Sequence, residues 1–425
     1  MPAGAAFQRL FHRASPDQTE DQTDLFPSVK TLRPPIDGCE ESATPLFDGG
    51  PPAQLQVWAG LMSPGKPNYL SRAFIAVCAG WIPLLVLSAA QSFFLQDGAL
   101  YSFLTDYGVH ARSLIAAPMF LLAEAACLPR LSAIARHFGD AGLIRPGDLD
   151  AFRAIRISTL RLRDSTRLEM AVIVLAATLV ATLAIEVPLQ FFPQWHRMGT
   201  DADASISPAG FWHSFVSVPI LMILLLGWFW RLAIWTRFLF LTSRLHLRLV
   251  PSHPDRAGGL KFVGISVQAF SFVAFPMAAI VAGAVANRVM HDQAAIFSFR
   301  YVFLGFDAIM GLLFLGPLLV FAGKLMAAWR RGIFEYGALA RSVGRQMEKK
   351  WIGPPAGPDS LAASDFSATT DLYSIAANAY GMTIFPASLA NFVILFVATV
   401  LPFVPVIFMS VSPDVLFQKL TGILL

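Results

Sequence analysis

Seven long apolar stretches limit the folds open to this chain more than any other feature. They cover 73–95, 111–132, 168–190, 211–237, 260–286, 300–325 and 384–410. A helix needs about 20 mostly apolar residues to cross the hydrocarbon core of a bilayer. A backbone in lipid must satisfy its own hydrogen bonds, so runs of this length fold as helices. The second stretch is the weakest, because Glu124, Pro129 and Arg130 interrupt it. Only 14% of the residues are charged, against about 25% in soluble domains. The sequence therefore predicts an all-α, polytopic membrane helix bundle of seven transmembrane helices.

The charged loops predict its orientation. Segment 130–167 carries eight arginines, and 238–261 carries Arg244, Arg248, Arg256 and Lys261. The stretch after the sixth run holds Lys324, Arg330, Arg331, Arg341, Arg345, Lys349 and Lys350. The intervening loops are nearly free of Lys and Arg. Positive charge stays on the cytoplasmic side, so the N-terminus is expected inside and the C-terminus outside. Residues 1–70 are polar and rich in Pro, Gly and Asp, without the pattern of a signal peptide. They are expected to form a disordered cytoplasmic tail, with the membrane domain over 71–425. Two runs extend past the bilayer, from Phe211 toward Leu249 and from the sixth span toward Trp351. Gly353 and Pro354 stop the second. A loop over 353–370 and a short helix near 371–382 should follow. Segments 130–167, 238–261 and 326–383 are thus expected to make a cytoplasmic helical layer. Trp228, Trp230, Trp235 and Trp329 would anchor it at the interface. Pro276, Pro317, Pro402 and Pro405 lie inside spans, where proline removes a backbone bond and can kink a helix.

Several function classes are excluded or left without a motif. The net charge of +4 comes with no nucleic-acid-binding motif, so no nucleic-acid partner is expected. Cys39, Cys78 and Cys127 form no CxxC or Cys/His cluster. Neither a zinc site nor a cofactor is predicted. The expected surroundings are a lipid bilayer, in a bacterial inner membrane, with anionic lipid headgroups and further copies of the chain as possible partners. No retinal-holding lysine lies in the seventh run.

The loop "SHPDRAGGL" at 252–260 is the most polar interruption of the membrane region. Pro251 and Pro254 forbid helix continuation, Ser252 and Asp255 suit turns, and Gly258 and Gly259 permit tight backbone. A rigid turn accounts for most of this. His253 with Asp255 also has the make-up of an acid/base pair, and Arg256 beside Gly258 and Gly259 that of an anion-binding loop. The long Trp/Arg helix, "RLHLRLVPSHPDRAGGL" and the terminal "LPFVPVIF" together resemble bacterial multi-pass integral membrane proteins with an HPDRAGGL-type loop. The resemblance implies location and no activity. The layout, with its inside N-terminus, long fourth and sixth helices and broken seventh, is similar to that of insect odorant and gustatory receptor channels. Their terminal pore motif is absent. That analogy implies a ligand-gated cation channel.

Ionisable and amide side chains inside spans are functional candidates by default. Glu124, Asp307 and Glu186 are the acids, and Gln268 and Asn391 the amides. They suggest a polar path through the membrane, and hence a channel or transporter for an ion or small solute. The alternatives are a membrane-anchored sensor or scaffold, or an enzyme acting on lipid headgroups through the 253–259 loop.

Overall fold

The computed structural model describes residues 45–410 apart from 48, 51, 59, 61–67, 200–204 and 353–364. The protein is mostly helical. A short helix, α1 (Ala53–Trp58), precedes α2 (Tyr69–Leu95). Then come α3 (Ala99–Leu104), α4 (Tyr107–Asp140), α5 (Leu149–Arg163) and α6 (Thr166–Glu186). A two-residue ribbon, β1 (Arg197–Met198) with β2 (Ser205–Ile206), leads to α7 (Pro208–Arg244). The chain continues through α8 (Lys261–His291), α9 (Ile296–Lys350), α10 (Asp365–Tyr380) and α11 (Leu389–Ser410).

Six helices are long and apolar enough to cross a membrane: α2, α4, α7, α8, α9 and α11. The third expected span passes this test only as a bent pair, in which α6 turns by 46° from the helix before it. The count is six, or seven if that pair is one span. Large apolar side chains stand exposed along the outer faces, among them Phe74, Leu304, Leu312 and Phe396. Apolar exposure on that scale marks a surface made for something other than water.

Loop contacts define two ends of the bundle. At the basic end, Arg248 N donates to Leu143 O at 2.7 Å, and His246 meets Asp148. At the opposite end, Trp195 Nε1 and Asn287 Nδ2 both donate to Asp106. The chain alternates between these ends. Helix α7 holds 37 residues, a length on the order of 55 Å, well past a hydrocarbon core of about 30 Å. Helix α9 holds 55 residues and tightens at Gly316–Phe321, where Pro317 removes a backbone donor. Pro402 sits in a similar tight turn at Leu401–Phe403, whereas α8 runs on as α-helix through Pro276. Helix α10 begins at Asp365, earlier than the expected 371, and packs along the basic extension of α9. Residues 353–364 of the expected loop lie outside the described residues.

The 1–70 tail divides into two parts. Residues 1–44 lie outside the described residues. Leu46 and Phe47 are buried, with the Phe47 ring edge-on to Trp235 at 5.3 Å and its N–H donating to Ser132 Oγ. Leu55 N donates to the buried Glu169 at 2.8 Å. This segment packs because "PLF" supplies apolar side chains that fill a gap beside α7. The expected tryptophan belt is also altered. Trp228 and Trp235 are core residues, and Trp228 Nε1 donates to Phe120 O at 3.0 Å. A buried indole needs such a partner.

Helix α8 is the most buried of the six and carries no charge between Lys261 and Arg288. Its small residues let neighbours approach closely, as membrane helix packing requires. A Cβ on Gly283 would stand 2.5 Å from Ala111 Cβ and 3.1 Å from Tyr107 O. Gly311 on α9, by contrast, has nothing within 4 Å of that position. Gly283→Val should therefore destabilise the detergent-solubilised protein by about 1–3 kcal/mol, the cost typical of overpacking. Gly311→Val should leave its melting temperature nearly unchanged.

Candidate functional site

The helices α2, α4 and α7 share a seam, and polar side chains enter it at two depths. Near the basic end, α4 supplies Glu124, which is 4% exposed. Arg72 of α2 lies 2.7 Å from its Oε2, and Arg231 of α7 lies 2.8 Å from its Oε1. Both arginines are buried. Arg231 also lies over the Trp228 ring at 5.0 Å, and its guanidinium donates to Gly49 O at 3.4 Å. One carboxylate thus faces two guanidinium groups. A cavity of about 340 Å³ adjoins it, with apolar walls and with Arg72 and Gln56 as its polar lining.

A second polar group occupies the opposite half of the seam. There α4 and α7 each leave the α-helical ladder for a wider π-helical turn, at Ala111–Ala116 and His213–Ser217. Such turns re-aim side chains and concentrate at functional sites. Arg112 and Ser113 come from one turn, His213 and Ser217 from the other. All four line one cavity of about 10 Å³, the room of a single water molecule. Arg112 makes no hydrogen bond or ion pair among the described residues, and its Nε is fully buried. His213 also has no hydrogen-bond partner among the described residues. Its ring meets Trp195 at 5.3 Å and His196 at 5.4 Å, both edge-on. The Ser217 hydroxyl is committed to Gly80 O at 2.8 Å.

Asp106 is the carboxylate nearest this group. Its oxygens are occupied by Val109 N, Trp195 Nε1 and Asn287 Nδ2 at 2.8–3.0 Å. His196 lies behind His213, with Nε2 3.3 Å from Ser214 Oγ and a buried Nδ1 that has no hydrogen-bond partner among the described residues. Burial pushes its imidazole down to about 4, with Asp106 opposing the shift and Arg112 adding to it. The ring is therefore neutral at pH 7.

The two cavities lie end to end. Ala76 and Ile220 line both, and Leu221 lines the smaller one.

The side chains singled out by sequence occupy four separate places. Glu124 is in the seam. Gln268 Nε2 donates to Asn391 Oδ1 at 2.8 Å, which ties α8 to α11. Asp307 lies half-buried on α9 between exposed Leu304 and buried Met310, and Glu186 is exposed at the end of α6. Neither acid has an ion pair among the described residues. Arg112 and His213 were missed, because both fall at the first residues of predicted spans.

The 252–260 loop is a closed hydrogen-bonded unit. Asp255 accepts from Ala257 N, Gly259 N and Lys261 N at 2.8–3.1 Å, and His253 Nδ1 lies 2.8 Å from it. Partial burial works to raise the Asp255 carboxyl, but these donors outweigh it and hold the group below the usual carboxylate value. Arg256 takes a left-handed backbone conformation, and its carbonyl accepts from Thr383 N at 2.7 Å. Gly258 and Gly259 also have positive φ, and a Cβ on Gly258 would press on Met382 at 3.1 Å. The loop thereby joins α7, α8 and the strap after α10. No group of three or more His, Cys, Asp or Glu able to hold a metal occurs among the described residues.

No protein-family model, no curated protein and no solved structure matches the chain. Its fold and its apolar helices are those of a multi-pass membrane protein.

The triad makes an asymmetric demand on stability. Glu124→Gln leaves two buried arginines facing each other, whereas Arg72→Gln leaves a neutral Arg231–Glu124 pair. Uncompensated buried charge costs about 3–5 kcal/mol. Denaturation in detergent should show Glu124→Gln as the more damaging change by a clear margin. Equal losses would contradict the assigned pairing.

Proposed function

We propose that the protein is a channel or transporter that moves a small anion along the seam between α2, α4 and α7. One observation carries this reading. Arg72, Arg231 and Arg112 enter the seam from its three helices, where Glu124 is the carboxylate that faces Arg72 and Arg231. A low-dielectric passage lined with excess positive charge attracts anions and repels cations. The loop arginines would face the cytoplasm, where they also suit anionic lipid headgroups. Glu124 then serves to hold the arginines in place and is not a step for a cation.

Ile220 stands between the two cavities as the barrier. Chloride efflux from proteoliposomes is the direct test. Ile220→Ala should raise the rate several-fold, and Ile220→Trp should lower it. Flux that is absent from both wild type and Ile220→Ala would remove the transport reading. The basic extension of α9, which leaves Phe334 exposed beyond the apolar span, would then favour the scaffold alternative.

A further inference from the structure

We infer that the small cavity between the two π-helical turns binds a monatomic anion, a halide. The inference rests on the anion reading of the seam and names its ion class. Three observations converge on the cavity. The first is charge. Arg112 is a cation within a membrane-spanning helix, and it has no hydrogen bond or ion pair among the described residues. A guanidinium in that position needs an anion or water to satisfy it. Asp106 is close enough to act on it through space, while its oxygens accept from Val109, Trp195 and Asn287 and make no direct ion pair with Arg112 among the described residues.

The second observation is the set of donors. His213 is nine-tenths buried, lines the cavity and has no hydrogen-bond partner among the described residues. Ser113 is buried on the same wall, and its hydroxyl makes no hydrogen bond among the described residues. An anion there would accept from a guanidinium N–H, a hydroxyl and an imidazole N–H. No carboxylate lines the cavity to compete.

The third is the helix geometry. Two π-helical turns face each other, and each contributes two of the polar lining residues. A regular α-helix would rotate Arg112 and His213 relative to the residues that follow them. The wider turns allow both to reach the seam while α4 and α7 keep their apolar contacts below it. The cavity volume of about 10 Å³ admits one small sphere. A halide requires the lining to give by a few tenths of an ångström beyond the radius of a water, and sulfate or a carboxylate requires far more.

The test is binding to the purified, detergent-solubilised full chain, which needs no transport. Chloride-35 NMR line broadening should be saturable with wild-type protein and reversed by bromide, while sulfate should not compete. Arg112→Gln should abolish the saturable component. Ser113→Ala, a milder change that keeps the fold, should weaken binding several-fold. Exchanging gluconate for chloride at constant ionic strength should raise the melting temperature of wild type and not of Arg112→Gln. Absence of saturable broadening in wild type, unchanged broadening in both variants, or competition by sulfate equal to bromide would each overturn the site. Binding without flux would leave the site standing and remove the transport reading. Flux without binding would do the reverse.

Discussion

The carboxylate of Glu124 between Arg72 and Arg231 is the interaction on which the architecture depends. It joins one residue from each of three helices, far apart in sequence, at a depth where each charge alone would be very costly. Removing any one partner changes the charge balance of a buried cluster. The surrounding structure is arranged to support it. Trp228 offers its ring face to Arg231 and donates its own N–H to α4. The segment at 45–58 closes over the same region, with Gly49 O meeting Arg231 and Phe47 filling the space beside Trp235. The described part of the N-terminal segment in this respect packs as part of the helical bundle.

Above the triad, the same three helices solve a different problem. Glycine and alanine on α2 and α8 allow close packing, and π-helical turns in α4 and α7 turn polar side chains inward. The result is a slot lined by one cation, Arg112, that shares Ala76 and Ile220 with the cavity beside the triad. Asp106 organises the loops at that end by accepting from three different elements. It makes no direct ion pair with Arg112 among the described residues.

Much of the fold was legible from hydropathy alone. The positions of the long apolar helices and the overlong fourth and sixth spans follow from run length and from Gly-Pro punctuation. Glu124 stood out because an acid in an apolar run is rare. Its partners did not, since Arg72 lies 52 residues before it and Arg231 lies 107 after it, and no local pattern links them. Arg112 and His213 escaped because span boundaries drawn at 111 and 211 place them at the membrane edge. The rule that flags ionisable residues inside spans would have caught them had the helices been drawn from 107 and 208. The π-helical turns leave no sequence signature. Leu46 and Phe47 were a small signal within a polar stretch, and composition averaged over 1–70 hid it. In the 252–260 loop, the Asp255 hydrogen bonds account for the Pro, Asp and Gly pattern.

The central claim is that positive charge lining the α2–α4–α7 seam selects anions. The most direct measurement is the reversal potential of Ile220→Ala protein in a planar bilayer under a potassium chloride gradient. The account predicts reversal near the chloride equilibrium potential, with a shift away from it in Arg112→Gln. Reversal near the potassium equilibrium potential would contradict it and return the weight to the acids on α4 and α9.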